Sequence, residues 1–138
     1  MTGTQSVVEA ETTLLLVVPK GPPLPLPATL RYDRSDPVAV HLLLGVDETE
    51  PVVWCVARDL LAAGLDEPAG VGDVRVWPTP DGGFVAVALS SPEGRCLFQV
   101  RRSALVWFLN RTYRMVRRGA ESEHLDVDTA IAALLGAR

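Results

Sequence analysis

The chain is poor in the residues from which metal centres and nucleophilic active sites are built. It has two histidines, two cysteines and two methionines in 138 residues. No C-x-x-C or H-x-x-x-H spacing occurs, so the common zinc arrangements are excluded. Asp126-x-Asp128 lacks the third ligand, the glycine and the distal glutamate of a calcium loop. Lysine is nearly missing: Lys20 is the only one, and arginine supplies the remaining positive charge. Long apolar runs are missing too. The longest unbroken run of leucine and valine, from Leu14 to Val18, is five residues, whereas a membrane-spanning helix needs about 20. Glu9 and Glu11 precede any basic residue, the reverse of a secretory leader. A cytoplasmic protein is expected, with Cys55 and Cys96 as free, buried thiols.

What is present fits one globular domain covering residues 1–138. The hydrophobic fraction of 48% and charged fraction of 22% are ordinary for a folded chain, and this length can enclose a core without a metal or disulfide staple. The net charge of −4 is unevenly spread. Arg95, Arg101, Arg102, Arg111, Arg114, Arg117 and Arg118 all lie in a segment without a single acid. A run of this kind is either a solvated helix face or a face for an acidic partner or nucleic acid.

Residues 7–18 alternate in hydropathy and predict a strand. Pro19, Pro22, Pro23, Pro25 and Pro27 predict a stiff connecting loop. A short strand begins at Leu30, a turn follows over Asp33 to Pro37, and Val38 to Leu44 alternates again. Asp47 to Glu50 reads as a polar turn. Val52 to Ala57 reads as a buried strand leading into a helix capped by Asp59 and ended by Gly64. The plan then recurs. Strands are expected at Val74–Trp77, Phe84–Leu89 and Cys96–Val100, with a hairpin at Asp81-Gly82-Gly83 and a turn over Ser91 to Gly94. A longer helix runs from a Ser103 cap to about Val116, stopped by Gly119. A last short helix is expected from Asp126 or Asp128 through Leu135, with Val127, Ile131, Leu134 and Leu135 on one face.

An offset of 44 residues lays one half on the other, roughly 31–65 on 75–109. Arg31 falls on Arg75, Val56 on Val100, Arg58 on Arg102, Leu61 on Leu105 and Leu65 on Leu109. Trp54 falls on Phe98 and Asp59 on Ser103. Strand, arginine, cap and amphipathic helix recur in one register. The reading is an α+β fold of two antiparallel sheets, each with a packed helix, plus the short C-terminal helix. Two sheets leave edges and apolar faces that oligomerisation covers.

Catalytic constellations fail one by one. His41 lies on a strand between Val40 and Leu42 and reads as a half-exposed strand residue. His124 sits in an acidic loop. Ser90 and Ser91 lack the flanking glycines of a nucleophile elbow, and Asp81-Gly82-Gly83 opens no helix as a phosphate loop would. Asp33 and Asp36 read as turn-capping residues. No enzyme, cofactor or metal is expected. On the longer helix, Leu105, Phe108, Leu109, Thr112 and Val116 form the inward face. Trp107, Arg111, Arg114 and Arg118 form a second stripe. It suits a protein interface or single-stranded nucleic acid, where arginine meets phosphate and an aromatic stacks on a base. It equally suits a tryptophan packed under arginine stems.

Several blocks resemble one family. Leu30-Arg31-Tyr32-Asp33 with Asp36-Pro37, Trp54, Ala57-Arg58-Asp59-Leu60-Leu61 through Leu65, Gly72-Asp73-Val74-Arg75-Val76-Trp77-Pro78, and Ala88 to Gly94 together look like the SsgA-like proteins of sporulating actinobacteria. The resemblance runs from about residue 8 to 135. It implies a non-enzymatic cell-division protein that helps select the septum site and recruit the tubulin-like GTPase FtsZ in sporulation-specific division. It implies a Whirly-like fold, assembled as a bell-shaped trimer, without a cofactor. The family offers no catalytic residues to carry over. The matched residues Arg31, Asp36, Trp54, Arg58, Asp59, Arg75 and Trp77 are candidates for structural or contact roles. Two functions stay apart at this point: a module that binds FtsZ and division partners, and a single-strand nucleic-acid binder that uses the basic helix.

Overall fold

The computed structural model describes residues 6–45 and 52–121. The expected turn at 47–50 and the expected C-terminal helix lie outside these. Seven antiparallel strands and two helices follow in the order β1 (Val7–Leu16), β2 (Leu24–Asp33), β3 (Ala39–Leu44), β4 (Val52–Ala57), α1 (Arg58–Ala63), β5 (Val74–Pro78), β6 (Phe84–Ser91), β7 (Gly94–Arg101) and α2 (Arg102–Met115). The α+β class holds. The two sheets do not: all seven strands form one sheet, ordered β4-β3-β2-β1-β7-β6-β5. The join is narrow. β1 meets β7 only through Leu15 opposite Gln99 and Leu16 opposite Phe98, extended by the Val17 amide donating to the Leu97 carbonyl at 2.9 Å. Hydropathy alternation gives each strand its faces but carries no information about which strands pair, so this seam was not visible.

The sheet is curled. β4 and β5 are its opposite edges, yet α1 touches both. One core therefore serves both halves. It gathers Val8, Leu14, Tyr32, Val40, Leu42, Val56 and Leu61 with Val76, Val87, Phe98, Leu105, Phe108 and Leu109. Helix α2 lies across β1, β6 and β7 inside the curl and buries Leu105, Phe108, Leu109 and Thr112, much of the inward face read from periodicity.

Local departures have local causes. β2 starts inside the proline-rich stretch, with Pro25 opposite Leu15 and Pro27 opposite Thr13. Pro25 sits where β2 pairs only with β1, because β3 reaches only Ala28–Arg31, and Pro27 meets the β3 side only through its carbonyl, which accepts from the Gly45 amide at 2.9 Å. Proline is tolerated at such a free edge. The helices start one residue before the expected caps. Ala57 and Arg101 are the N-cap residues, with nearly equal dihedrals (φ −59°, ψ 133° and φ −59°, ψ 129°) and no side-chain cap bond. Asp59 and Ser103 sit in the first turn instead. The first helical amides are still satisfied: Arg58 donates to the Val38 carbonyl at 2.8 Å and Arg102 to the Gly83 carbonyl at 3.0 Å. β4 is an edge, not a buried strand, and leaves Val52 and Val53 more than half exposed. Cys55 is accordingly exposed and Cys96 half-buried, so neither is the buried thiol expected.

Gly64 is required for space, not for its dihedral, since it lies in the right-handed region (φ −71°). A Cβ there would stand 2.1 Å from Val76 Cγ1 and 3.1 Å from the Val76 carbonyl carbon. Its lack of a side chain lets the end of α1 close on β5. Gly64→Ala is therefore expected to cost about 1–3 kcal/mol through overpacking, measured by urea unfolding. Gly82→Ala, whose added Cβ meets nothing, separates crowding from backbone strain. Its φ of +75° makes any loss there conformational.

Candidate interaction surface and its anchor

Arg58 is the most consequential of the residues picked out from the sequence. The β4-to-α1 junction points it inward, and it is 1% exposed. Its guanidinium donates to the Thr112 carbonyl at 3.1 Å and the Val116 carbonyl at 2.7 Å, and to Glu121 Oε2 at 2.7 Å. These carbonyls belong to the last turn of α2 and its C-cap, at the helix's negative end; the Thr112 carbonyl also accepts from the Val116 amide at 2.9 Å, whereas the Val116 carbonyl lies at the cap, where the helix supplies no partner. A charged fork there satisfies several acceptors at once. Val116 turns extended at this point (φ −136°, ψ 110°), so α2 ends at Met115, ahead of the stop expected at Gly119.

The ring faces of Tyr32 and Tyr113 cover the same guanidinium, 4.9 Å and 4.1 Å from its central carbon, in cation–π geometry. They are the only two tyrosines in the chain. Tyr32 donates its hydroxyl to the Pro37 carbonyl at 2.8 Å, and Tyr113 donates to Asp59 Oδ1 at 3.1 Å. Burial pushes both phenols up to about 12. For Tyr113 the bond to Asp59 adds to that rise, and for Tyr32 the Arg58 charge partly opposes it. The hydrogen bond from Arg58 is the main cause holding the Glu121 carboxyl below its usual range. Sequence reasoning missed Tyr113 and Glu121. The pairing of a buried arginine with the chain's two tyrosines was the available signal.

The other matched residues are scattered. Arg31 pairs with Glu9 across β1 and β2. Asp36 stands 3.9 Å from His41 Nε2. Trp54 packs half-buried against the core. Arg75 is exposed on β5, and Trp77 is half-buried beside it. Arg102, which the 44-residue offset aligns with Arg58, is half-exposed and reaches Asp66 at 3.2 Å.

The stripe on α2 is only partly assembled. Trp107 is 53% exposed, and Arg111 lies over its ring at 5.0 Å. Arg111 and Arg114 line a small cavity with Arg34, Val8 and Met115. Arg118 lies beyond the helix end and stacks on Tyr113 at 4.8 Å, which separates it from the other three. Trp107 also borders a groove with Ala10, Thr12, Leu30 and Ala104. Among the described residues no His, Cys, Asp or Glu side chains gather as metal ligands, and no helix is long and apolar enough to cross a membrane.

The fold is shared with solved proteins of a sporulation and cell-division family. Residues 26–121 match the family described as Streptomyces sporulation and cell division protein, SsgA. The chain belongs to that family. It is 59% identical over 137 residues to the sporulation-specific cell division protein SsgB of Salinispora tropica, covering 96% of each chain. It is 47% identical over 132 residues to SsgB of Streptomyces coelicolor, covering 94% of this chain and 96% of that one. A solved structure of the SsgA-like sporulation-specific cell division protein of Thermobifida fusca superposes with a TM-score of 0.81 at 42% identity, covering 96% of this chain and 98% of that one. A structure connected with SsgB mutations and longitudinal division in sporulating Streptomyces coelicolor superposes at 0.80 with 48% identity, covering 88% and 99%.

Arg58→Met is expected to cost roughly 2–5 kcal/mol, because the Val116 carbonyl and the Glu121 carboxylate lose this donor and the Thr112 carbonyl loses one of its two. Chemical unfolding measures it, with Arg102→Met as a control near zero, since an exposed pair contributes little. The tyrosines give a pH test. Phenols raised to about 12 when folded and near 10 when unfolded stabilise the fold below pH 10, and that stability is lost as pH rises toward 12. Phenolate absorbance at 295 nm should therefore stay low at pH 10.5 while the protein is folded and appear together with unfolding. Glu121 acts at the other end: its contribution is present above the ordinary carboxylate value and lost as pH falls through its lowered one.

Proposed function

We propose that this chain is a non-enzymatic adaptor of sporulation-specific division that helps position or recruit FtsZ at the septum from the cytoplasm. It uses Trp107, Arg111 and Arg114 as contact residues, with Arg118 at the margin. The family supports the division role. The observation that carries the contact residues is the half-exposed Trp107 with Arg111 stacked on it, on a helix whose far end is fixed by Arg58. Aromatic and arginine anchors on a rigid element are the usual composition of an energetic interface centre.

The working form in this reading is a trimer of single-domain chains, each a doubled unit with offset 44. The uncovered β4 edge, with Val52 and Val53 exposed, supports an oligomer, since such an edge attracts a partner. The doubling draws support from element order. β3, β4 and α1 shifted by 44 residues fall on β6, β7 and α2, and the two helix entries share their dihedrals.

Co-sedimentation with FtsZ polymers tests the reading. Trp107→Ala and Arg111→Glu should each reduce bound protein about tenfold while thermal stability is kept. Retained binding in both, or loss only on substitution at Val52 and Val53, contradicts the contact assignment. Light scattering should return three times the 14.9 kDa chain mass. Submicromolar binding to a single-stranded oligonucleotide, weakening steeply with salt, would contradict the adaptor role.

A further inference from the structure

Three arginines from two distant parts of the chain converge on one small cavity. Arg34 comes from the turn after β2; Arg111 and Arg114 come from the last turns of α2. With Val8 and Met115 they enclose about 240 Å³. Among the described residues no carboxylate lines this space. Among the described residues, no ion pair links any of the three to an acid. The Nε atoms of Arg34 and Arg111 are buried and have no hydrogen-bond acceptor. Gathering three like charges without a counter-charge is unfavourable, and a buried N–H without an acceptor is costly. An oxyanion entering the cavity removes the first of these deficits.

We propose that this cavity is the receptor for an acidic side chain on a partner's peptide segment. The chemistry of the walls selects this occupant. A guanidinium fork binds a carboxylate bidentately, and the Val8 and Met115 floor suits the methylene stem of a glutamate. The space is smaller than that of ordinary small-molecule sites and admits a side chain. Arg111 joins the cavity to Trp107, one helical turn away and stacked against it. An apolar residue next to the acidic one would lie on that indole, over Ala10, Leu30 and Ala104, in a groove that Glu9, paired with Arg31, and Glu11 also border. The motif is thus acidic then apolar on an extended segment, with Arg34 as a contact outside the helical stripe. This rests on the adaptor reading and gives it a partner chemistry.

The test uses the full chain and a fluorescein-labelled, N-acetylated hexapeptide of alternating glutamates and leucines, read by anisotropy. The same peptide with glutamines and inorganic phosphate serve as comparison probes. The glutamate peptide should bind at least tenfold more tightly than the glutamine peptide. Arg34→Gln and Arg114→Gln should each lose about tenfold, and Arg34→Lys should lose part of this because it keeps charge without the fork. Arg95→Gln, a basic residue elsewhere, should bind as the parent does. Thermal melts check that each variant is folded; if Arg34→Gln is not, Arg34→Lys and Arg114→Gln decide. Equal binding of both peptides, unchanged binding in Arg34 and Arg114 variants, or phosphate competing as effectively as the glutamate peptide would overturn the proposal. The two readings fail separately. Loss of FtsZ binding by Trp107→Ala with peptide binding indifferent to Arg34 sinks only the cavity. Arginine-dependent peptide binding without FtsZ co-sedimentation sinks only the adaptor role.

Discussion

The structure depends on a single buried guanidinium. Arg58 leaves the end of β4, in the first half of the chain, and terminates α2, in the second. Taking a charge out of water costs several kcal/mol unless its hydrogen-bonding capacity is used. Here two helix carbonyls, one carboxylate and two aromatic faces meet it, with only its Nε left without an acceptor among the described residues. Neither half can supply this set alone. Tyr32 and Arg58 come from one, Tyr113, the carbonyls and Glu121 from the other. That division explains how a sheet joined by two residue pairs at its centre still encloses one core. The β-seam connects the halves in the plane of the sheet, and Arg58 connects them across the curl.

Closing the curl has a steric side as well. α1 must touch both sheet edges, and the bare backbone of Gly64 lets it approach Val76. The charged and the steric contact flank the same short helix. α1 has only six residues, too few to be stable by its own hydrogen bonds, so it is held by what lies at its two ends. The longer α2 gains a fixed C-terminal end, and this fixes the direction in which Trp107 and Arg111 face outward. The link from sequence to function therefore runs through an interior residue that touches no partner.

Much of this was legible in the residues. Period-two alternation gave β1, β3 and β5 near their true bounds, the apolar stretches between turn residues gave β4, β6 and β7, and the spacing of Leu105, Phe108, Leu109 and Thr112 gave the buried face of α2. The blocks around Arg31, Arg58 and Arg75 pointed to the right family. What stayed hidden was long-range. Strand order was not readable, because antiparallel alternation looks alike in one sheet or two. β2 was concealed by Pro25 and Pro27, whose place at and beyond the end of β3's pairing follows only from the strand register. Arg58 and Arg102 occupy equivalent places in the repeat, yet one is buried and the other solvated, since only Arg58 has a helix end within reach. Arg118 followed the helical period on paper, but the helix stops before it. Arg34 lay in a turn with no periodicity to single it out.

Native-state hydrogen exchange tests the central claim most directly. If Arg58 makes the two halves one cooperative unit, the amides of Val56 and Leu61 and those at the end of α2, Thr112 and Val116, open with the same free energy and the same denaturant dependence. If the end of α2 instead opens at much lower free energy while Val56 and Leu61 keep full protection, the buried arginine does not couple the halves, and the account is wrong.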